Sequence, residues 1–143
     1  MYQLILINER MTNMALINTQ ELTRTVILMN KFLKGTGNKY KVVSARPYSD
    51  KKGVLTDGYT LTLKVLDDAI DYGFDKEGNK RENNIDQNFD VTVLSRHTPL
   101  QKGDYVALKD FDEEHSFAIG FDLILRFRDY EKLDAAKIKG TIK

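Results

Sequence analysis

The sequence predicts a mainly β fold: a small closed barrel of five strands behind an N-terminal arm, with a short C-terminal helix. Three observations predict it. From Lys39 onward the apolar residues recur with a period of two, the signature of half-buried strands. Five such runs fit within about 90 residues with no long helical run between them, as in small β-barrels. The last run is the longest and carries Gly120, where a strand can bend so that the sheet closes on itself. A flat open sheet of the same strands would leave an apolar edge unpaired.

The elements follow in chain order. Residues 1–34 form an arm and a helix candidate, 35–128 the barrel domain, and 129–143 a tail or short helix. Within the first part, 18–33 has a capping-box-like start at Asn18 and Glu21, and Leu22, Val26, Met29 and Leu33 share one helical face. The β-branched Thr23, Thr25, Val26 and Ile27 work against that helix. Gly35-Thr36-Gly37-Asn38 ends it. The first strand runs from Lys39 to Tyr48, with a bulge expected around Ser44. The second is Tyr59 to Leu66, where Tyr59, Leu61, Leu63 and Val65 face one way and Thr60, Thr62 and Lys64 the other. Phe89, Val91 and Val93 mark the third strand, and Tyr105 to Phe111 the fourth, entered through a turn at Gly103. Phe117, Ile119, Phe121, Leu123, Leu125 and Phe127 make one long apolar stripe for the fifth. The polar 67–88 connection reads as a long loop or an inserted hairpin, and 129–139 as a terminal helix carrying Tyr130, Leu133 and Ala136.

Composition removes several functional classes. The chain has 143 residues, 22 Lys plus Arg against 21 Asp plus Glu, two His and no Cys. That excludes disulfide frameworks, cysteine-ligated zinc and thiol nucleophiles. It also agrees with a reducing cytoplasm. The near-neutral total conceals a segregated pattern. Residues 31–66 carry eight cations against two acids, a net of +6, whereas 67–90 carry eight acids against three cations, a net of −5. A polyanion responds to the local field, so a basic block can bind it whatever the overall sum. The apolar runs Leu4 to Ile7 and Val26 to Met29 are too short for a signal peptide or a spanning helix, and no membrane association is expected.

Catalytic and metal motifs are weak. Gly35-Thr36-Gly37-Asn38-Lys39 lacks the spacing of a phosphate loop and precedes a strand rather than a helix. A calcium-loop reading from Asp75 through Glu77, Asn79 and Asp86 puts Lys80 where glycine is required. His97 and His115 stand beside Thr98 and Ser116 with no assignable triad. Asp67 and Asp68 point to opposite sides of an extended chain, which does not suit paired-carboxylate chemistry. The expectation is a non-enzymatic protein without cofactor or metal.

One constellation does carry chemistry: basic and aromatic side chains interleaved. Lys39, Lys41, Arg46, Tyr48, Lys51, Lys52, Tyr59 and Lys64 lie within 26 residues. Single-stranded nucleic acid needs cations that track phosphates and flat rings on which bases stack, about 1–3 kcal/mol per base. Tyr48, beside Pro47 at the edge of the polar 49–58 loop, suits stacking best, while Tyr59 shares the core face of Leu61 and Leu63. Arg126 and Arg128, opposite the last apolar stripe, extend the groove.

The basic first strand, Gly-Tyr-Thr-Leu-Thr-Leu-Lys-Val-Leu over 58–66, and Leu100-Gln101-Lys102-Gly103-Asp104-Tyr105-Val106 together resemble an oligonucleotide/oligosaccharide-binding (OB) barrel over residues 38–128. Size and the N-terminal arm make the chain similar to small single-stranded DNA-binding proteins of Gram-positive conjugative plasmids and phages. That resemblance implies sequence-independent binding of single-stranded DNA, with RNA an open alternative. The binding groove would lie between the first-second and fourth-fifth loops, at Arg46, Tyr48, Lys51 and Lys52 on one side and Phe111 and His115 on the other. Separately, residues 1–17 alternate weakly, with Tyr2, Leu4 and Leu6 against Ile5 and Ile7, a pattern that suits docking on a neighbouring subunit by strand addition and a homo-oligomer. The basic end from Lys137 to Lys143 differs from the acidic, phenylalanine-ending tail of housekeeping single-strand binders, and implies DNA handling on a mobile element. The competing expectation is an adaptor module, since OB-like barrels host many roles.

Overall fold

The computed structural model describes residues 15–19, 22, 26–49 and 57–139. Six strands form one sheet: β1 (Tyr40–Tyr48), β2 (Gly58–Val65), β3 (Asn88–Val93), β4 (Tyr105–Phe111), β5 (Phe117–Ile119) and β6 (Asp122–Leu133). Helix α1 (Met29–Gly35) precedes them and α2 (Ala135–Lys139) follows. The arm expected over 1–17 lies almost wholly outside the described residues, as do Lys51 and Lys52.

Strand pairing makes a ring. β1 pairs with β2 and β4, β2 with β3, and β4 with β6, all antiparallel, and a parallel ladder from β3 to β6 completes the circuit. The inward faces supply the core: Tyr40 and Val42, Leu61 and Leu63, Val91 and Val93, Val106 and Leu108, Leu125 and Phe127 are all buried. The mainly β expectation, the alternation in the first four strands and the bulge are therefore present, the register shifting between Val42 and Ser44. Gly58 is required where β2 meets β3, because a Cβ there would sit 1.7 Å from the Val93 carbonyl oxygen.

Helix α1 is shorter than the 18–33 pattern suggests. It begins at Met29, after a non-helical Leu28 with no side-chain cap, and its predecessors include the β-branched Val26 and Ile27. The helix places Phe32 against Tyr40 and Phe89, with ring centroids 6.0 and 5.3 Å away. Asn38, at φ 51, then links the turn to β4. Its side-chain amide donates to the Leu108 carbonyl (2.9 Å) and its oxygen accepts the Leu108 N–H (2.8 Å), so one side chain replaces a missing ladder rung.

Two elements differ from the sequence reading. The long stripe from Phe117 to Phe127 is not one bent strand: Gly120, at φ 59, turns the chain back, so β5 and the start of β6 form a hairpin. At the other end β6 runs on to Leu133, so Tyr130 and Leu133 belong to a strand and the terminal helix starts only at Ala135. Tyr130 is held there by Thr98, whose N–H it accepts (3.1 Å) and whose carbonyl it donates to. The 67–87 connection is a loop organised by the buried Asp68, whose carboxylate accepts Ile70 N–H (3.0 Å), Tyr72 O–H (2.7 Å) and Asn84 N–H (2.8 Å). Among the described residues no helix is long and apolar enough to cross a membrane.

Candidate nucleic-acid interface

The outward residues of β1 and β2 gather four of the sequence candidates, Lys41, Arg46, Tyr48 and Lys64. Register places Lys41 directly opposite Lys64 and Arg46 opposite Thr60. The same transverse row continues from Thr60 to Thr92 on β3 and from Thr92 to Arg126 on β6, so two arginine positions bracket two threonines. The adjoining row, Ser44, Thr62 and Asp90, is tied by a Thr62 hydroxyl that donates to Asp90 (2.7 Å). Tyr48 stands opposite Gly58 at the end of β1, half-buried, where the chain leaves for the segment that holds Lys51 and Lys52. Lys39 lies at the approach to β1, beside Gly37. None of Lys39, Lys41, Arg46 and Lys64 has an ion-pair partner among the described residues.

The fourth-fifth side is built differently. Between β4 and β5 the chain detours through a 3-10 turn, Glu113–His115, while Asp112 N–H still donates to the Arg126 carbonyl (2.9 Å) and Ser116 Oγ accepts Arg126 N–H (2.9 Å). Asp112 is buried, and both its oxygens are occupied. Arg128 donates to one at 2.8 Å, and His115 Nδ1 lies 2.8 Å from the other. Arg128 reaches Asp110 as well, at 3.2 Å. Arg126 donates to the His115 carbonyl, and its Nε is enclosed without a partner among the described residues. Asp112, Glu114 and His115 bring donor atoms within 4.8 Å of one another. A cation there would have to break the Asp112–His115 contact beside a guanidinium that already neutralises Asp112, so the arrangement is an ion-pair network.

Two aromatic candidates are turned inward. Tyr59 packs edge-on to Tyr130, with centroids 6.4 Å apart, and its hydroxyl accepts Leu100 N–H (3.4 Å). Phe111 lies half-buried against Phe127, with centroids 5.2 Å apart. Among the described residues Phe74 faces solvent in the 67–87 loop, and at the β5–β6 hairpin Phe117 and the fully exposed Phe121 do so together. Sequence reading assigned both to a core stripe. The signal that distinguishes them is Gly120 followed by Phe121 and Asp122, a turn between two short apolar runs.

His97 forms a clasp away from these faces. Its Nδ1 lies 2.7 Å from Thr98 Oγ1, its Nε2 is 2.8 Å from Asp129 and 3.0 Å from the Tyr130 carbonyl, and the ring stacks on Tyr130 at 4.5 Å. The Tyr130 N–H, and then His97, hold the Asp129 carboxyl below the usual carboxylate range. With two acceptors facing Nε2, that nitrogen is the donor of the clasp. The clasp ties the β3–β4 connection to β6.

Comparison with known proteins finds no match to a family model, to a curated protein or to a solved structure.

Proposed function

We propose that the protein binds single-stranded DNA, largely without sequence preference, on the outer face of β1 and β2, and that the strand ring is an OB-like barrel. Lys39, Lys41, Arg46, Lys51, Lys52 and Lys64 would track phosphates, and Tyr48 would offer a ring for base stacking. The observation that carries the proposal is the Lys41–Lys64 pair. Like charges directly opposite in a ladder destabilise a sheet. The arrangement becomes favourable once a polyanion lies across both. The parallel β3–β6 ladder within an otherwise antiparallel ring supports the OB-like reading. Self-association through residues 1–17 would supply cooperativity along the strand, and the role we assign is DNA handling on a conjugative plasmid or phage in the cytoplasm, with no catalytic step.

Fluorescence anisotropy with labelled single- and double-stranded oligonucleotides over a salt series tests this. A single-strand preference with steep weakening by salt is the expected result. No binding at low salt rejects the proposal.

An adaptor role is the second reading, and the exposed apolar hairpin of β5 and β6 favours it.

A further inference from the structure

The strand ring has a seam. The parallel ladder pairs Val91, Thr92 and Val93 with Leu125, Arg126 and Phe127, and stops there. Continued one rung at a time, it would join Asp90 to Ile124, Phe89 to Leu123 and Asn88 to Asp122. Those residues instead line an open groove of about 740 Å³. On β3, Leu94 N–H donates to the Phe127 carbonyl, so by the period of two Thr92, Asp90 and Asn88 also turn their backbone groups toward β6. On β6, Arg126 bonds toward β4, so Ile124 and Asp122 turn toward β5 and Leu123 turns toward β3. The groove therefore has two backbone edges facing each other with no rung between them among the described residues.

Its walls are apolar: Ile27, Met29, Phe32, Phe89, Leu123 and Leu125. Among the described residues that line it, Asp90 and Asp122 are the only charged side chains. That excludes a phosphate backbone and complements a cationic segment.

We propose that the seam is a strand-insertion slot for a partner protein's extended segment, with apolar side chains at alternate positions and lysine or arginine at the flanks. The stretch over which β3 and β6 stay apart is three positions long on each strand, about 10 Å, room for three or four inserted residues. Main-chain bonds to Leu123 and Asp90 would hold the backbone, and the apolar wall would take every second side chain. The slot contains none of the phosphate or base contacts proposed on β1 and β2 and meets that face only where Asp90 accepts from Thr62, so it stands or falls separately from nucleic-acid binding.

The probe is a fluorescent synthetic peptide, Lys-Val-Thr-Val-Thr-Val-Lys, titrated into the full chain and followed by anisotropy and amide NMR shifts. The slot predicts saturable binding with the largest shifts at Asn88–Asp90 and Leu123. It also predicts that Leu123→Lys weakens binding about tenfold or more, the loss of one buried leucine. A glutamate-flanked peptide should bind more weakly for want of charge complementarity. Leu123 is 49% exposed, so the variant keeps its fold, checked by circular dichroism, and oligothymidylate affinity gives an independent readout. Absence of saturable binding, shifts elsewhere, or indifference to Leu123→Lys would overturn the proposal. So would displacement of the probe by a synthetic copy of residues 1–14, which would assign the slot to the chain's own arm. Probe binding that fades as the protein dimerises would assign it to a second copy, and would overturn a foreign partner equally.

Discussion

The outer face of β1 and β2 and the β4–β6 side are made from similar residues and do opposite things with them. On the first, Lys41 and Lys64 face each other without a described acid, and Arg46 stands over threonines. On the second, Arg128 is bound to Asp110 and Asp112, Lys109 lies 3.0 Å from Glu131, and Lys132 lies 3.7 Å from Asp104. A cation already satisfied by a carboxylate gains little from a phosphate, because the new contact replaces an old one. Positive residues therefore report a polyanion site only where the fold withholds their counter-ions. Hydrophobic exposure runs the other way, concentrating at Phe117, Ile119, Phe121 and Leu123 on the hairpin of the second side.

The largest expected effect attacks the first face. Replacing Lys41, Arg46 and Lys64 together by alanine should weaken single-strand binding about a hundredfold at low salt, from three charge-assisted contacts of roughly 1 kcal/mol or more each. The same variant should melt no lower than the parent, because the Lys41–Lys64 repulsion is removed. Anisotropy and thermal melting read the two quantities. A lower melting temperature with unchanged affinity would reverse the functional reading of this face.

The core beneath both faces gives the next effect. Burial pushes the Tyr40 phenol up to about 12 from its ordinary value of 10.0. The folded state keeps the proton where the unfolded chain has lost it. Stability from this group is therefore complete below pH 10 and disappears as pH rises toward about 12, on the order of 2 kcal/mol in all. Burial also raises Tyr72 and Tyr130, which add to the same alkaline limit. Denaturant unfolding measured across that range should show the loss, and Tyr40→Phe should flatten it. A parent curve that stays level over the same range would contradict the burial argument.

Removing a cation from the second side should cost stability and leave binding alone. Arg128→Ala strips the buried Asp112 of one partner and should destabilise by about 1–3 kcal/mol. The smallest effect belongs to the hairpin tip. Phe121→Ser should move stability by less than about 0.5 kcal/mol, since the ring is fully exposed. A fall in single-strand affinity for either variant would erase the distinction between the two sides and extend the interface across β6.

Alternation was enough to place β1 to β4, because each strand buries one face and a slip of one residue would expose it. It could not separate a bent strand from a hairpin. Phe117 to Phe127 alternates equally well in both, and only the left-handed Gly120 decides. The binding residues divide in the same way. Lys41 and Lys64 could be marked as basic from the sequence, but their opposition depends on the bulge that resets β1. Arg128 looked equally available until the Phe111–Phe127 register set Asp110 and Asp112 beside it. Long-range register is the physical quantity that local pattern does not carry.

The most direct test is the salt dependence of oligothymidylate binding for the parent, for Lys41→Ala combined with Lys64→Ala, and for Arg128→Ala. Two lost phosphate contacts should lower the log–log salt slope by about 1.4 for the double variant, at about 0.7 per contact on a single strand. The slope for Arg128→Ala should match the parent. A double variant whose slope equals the parent's, or a parent that binds no single strand at low salt, would contradict the account.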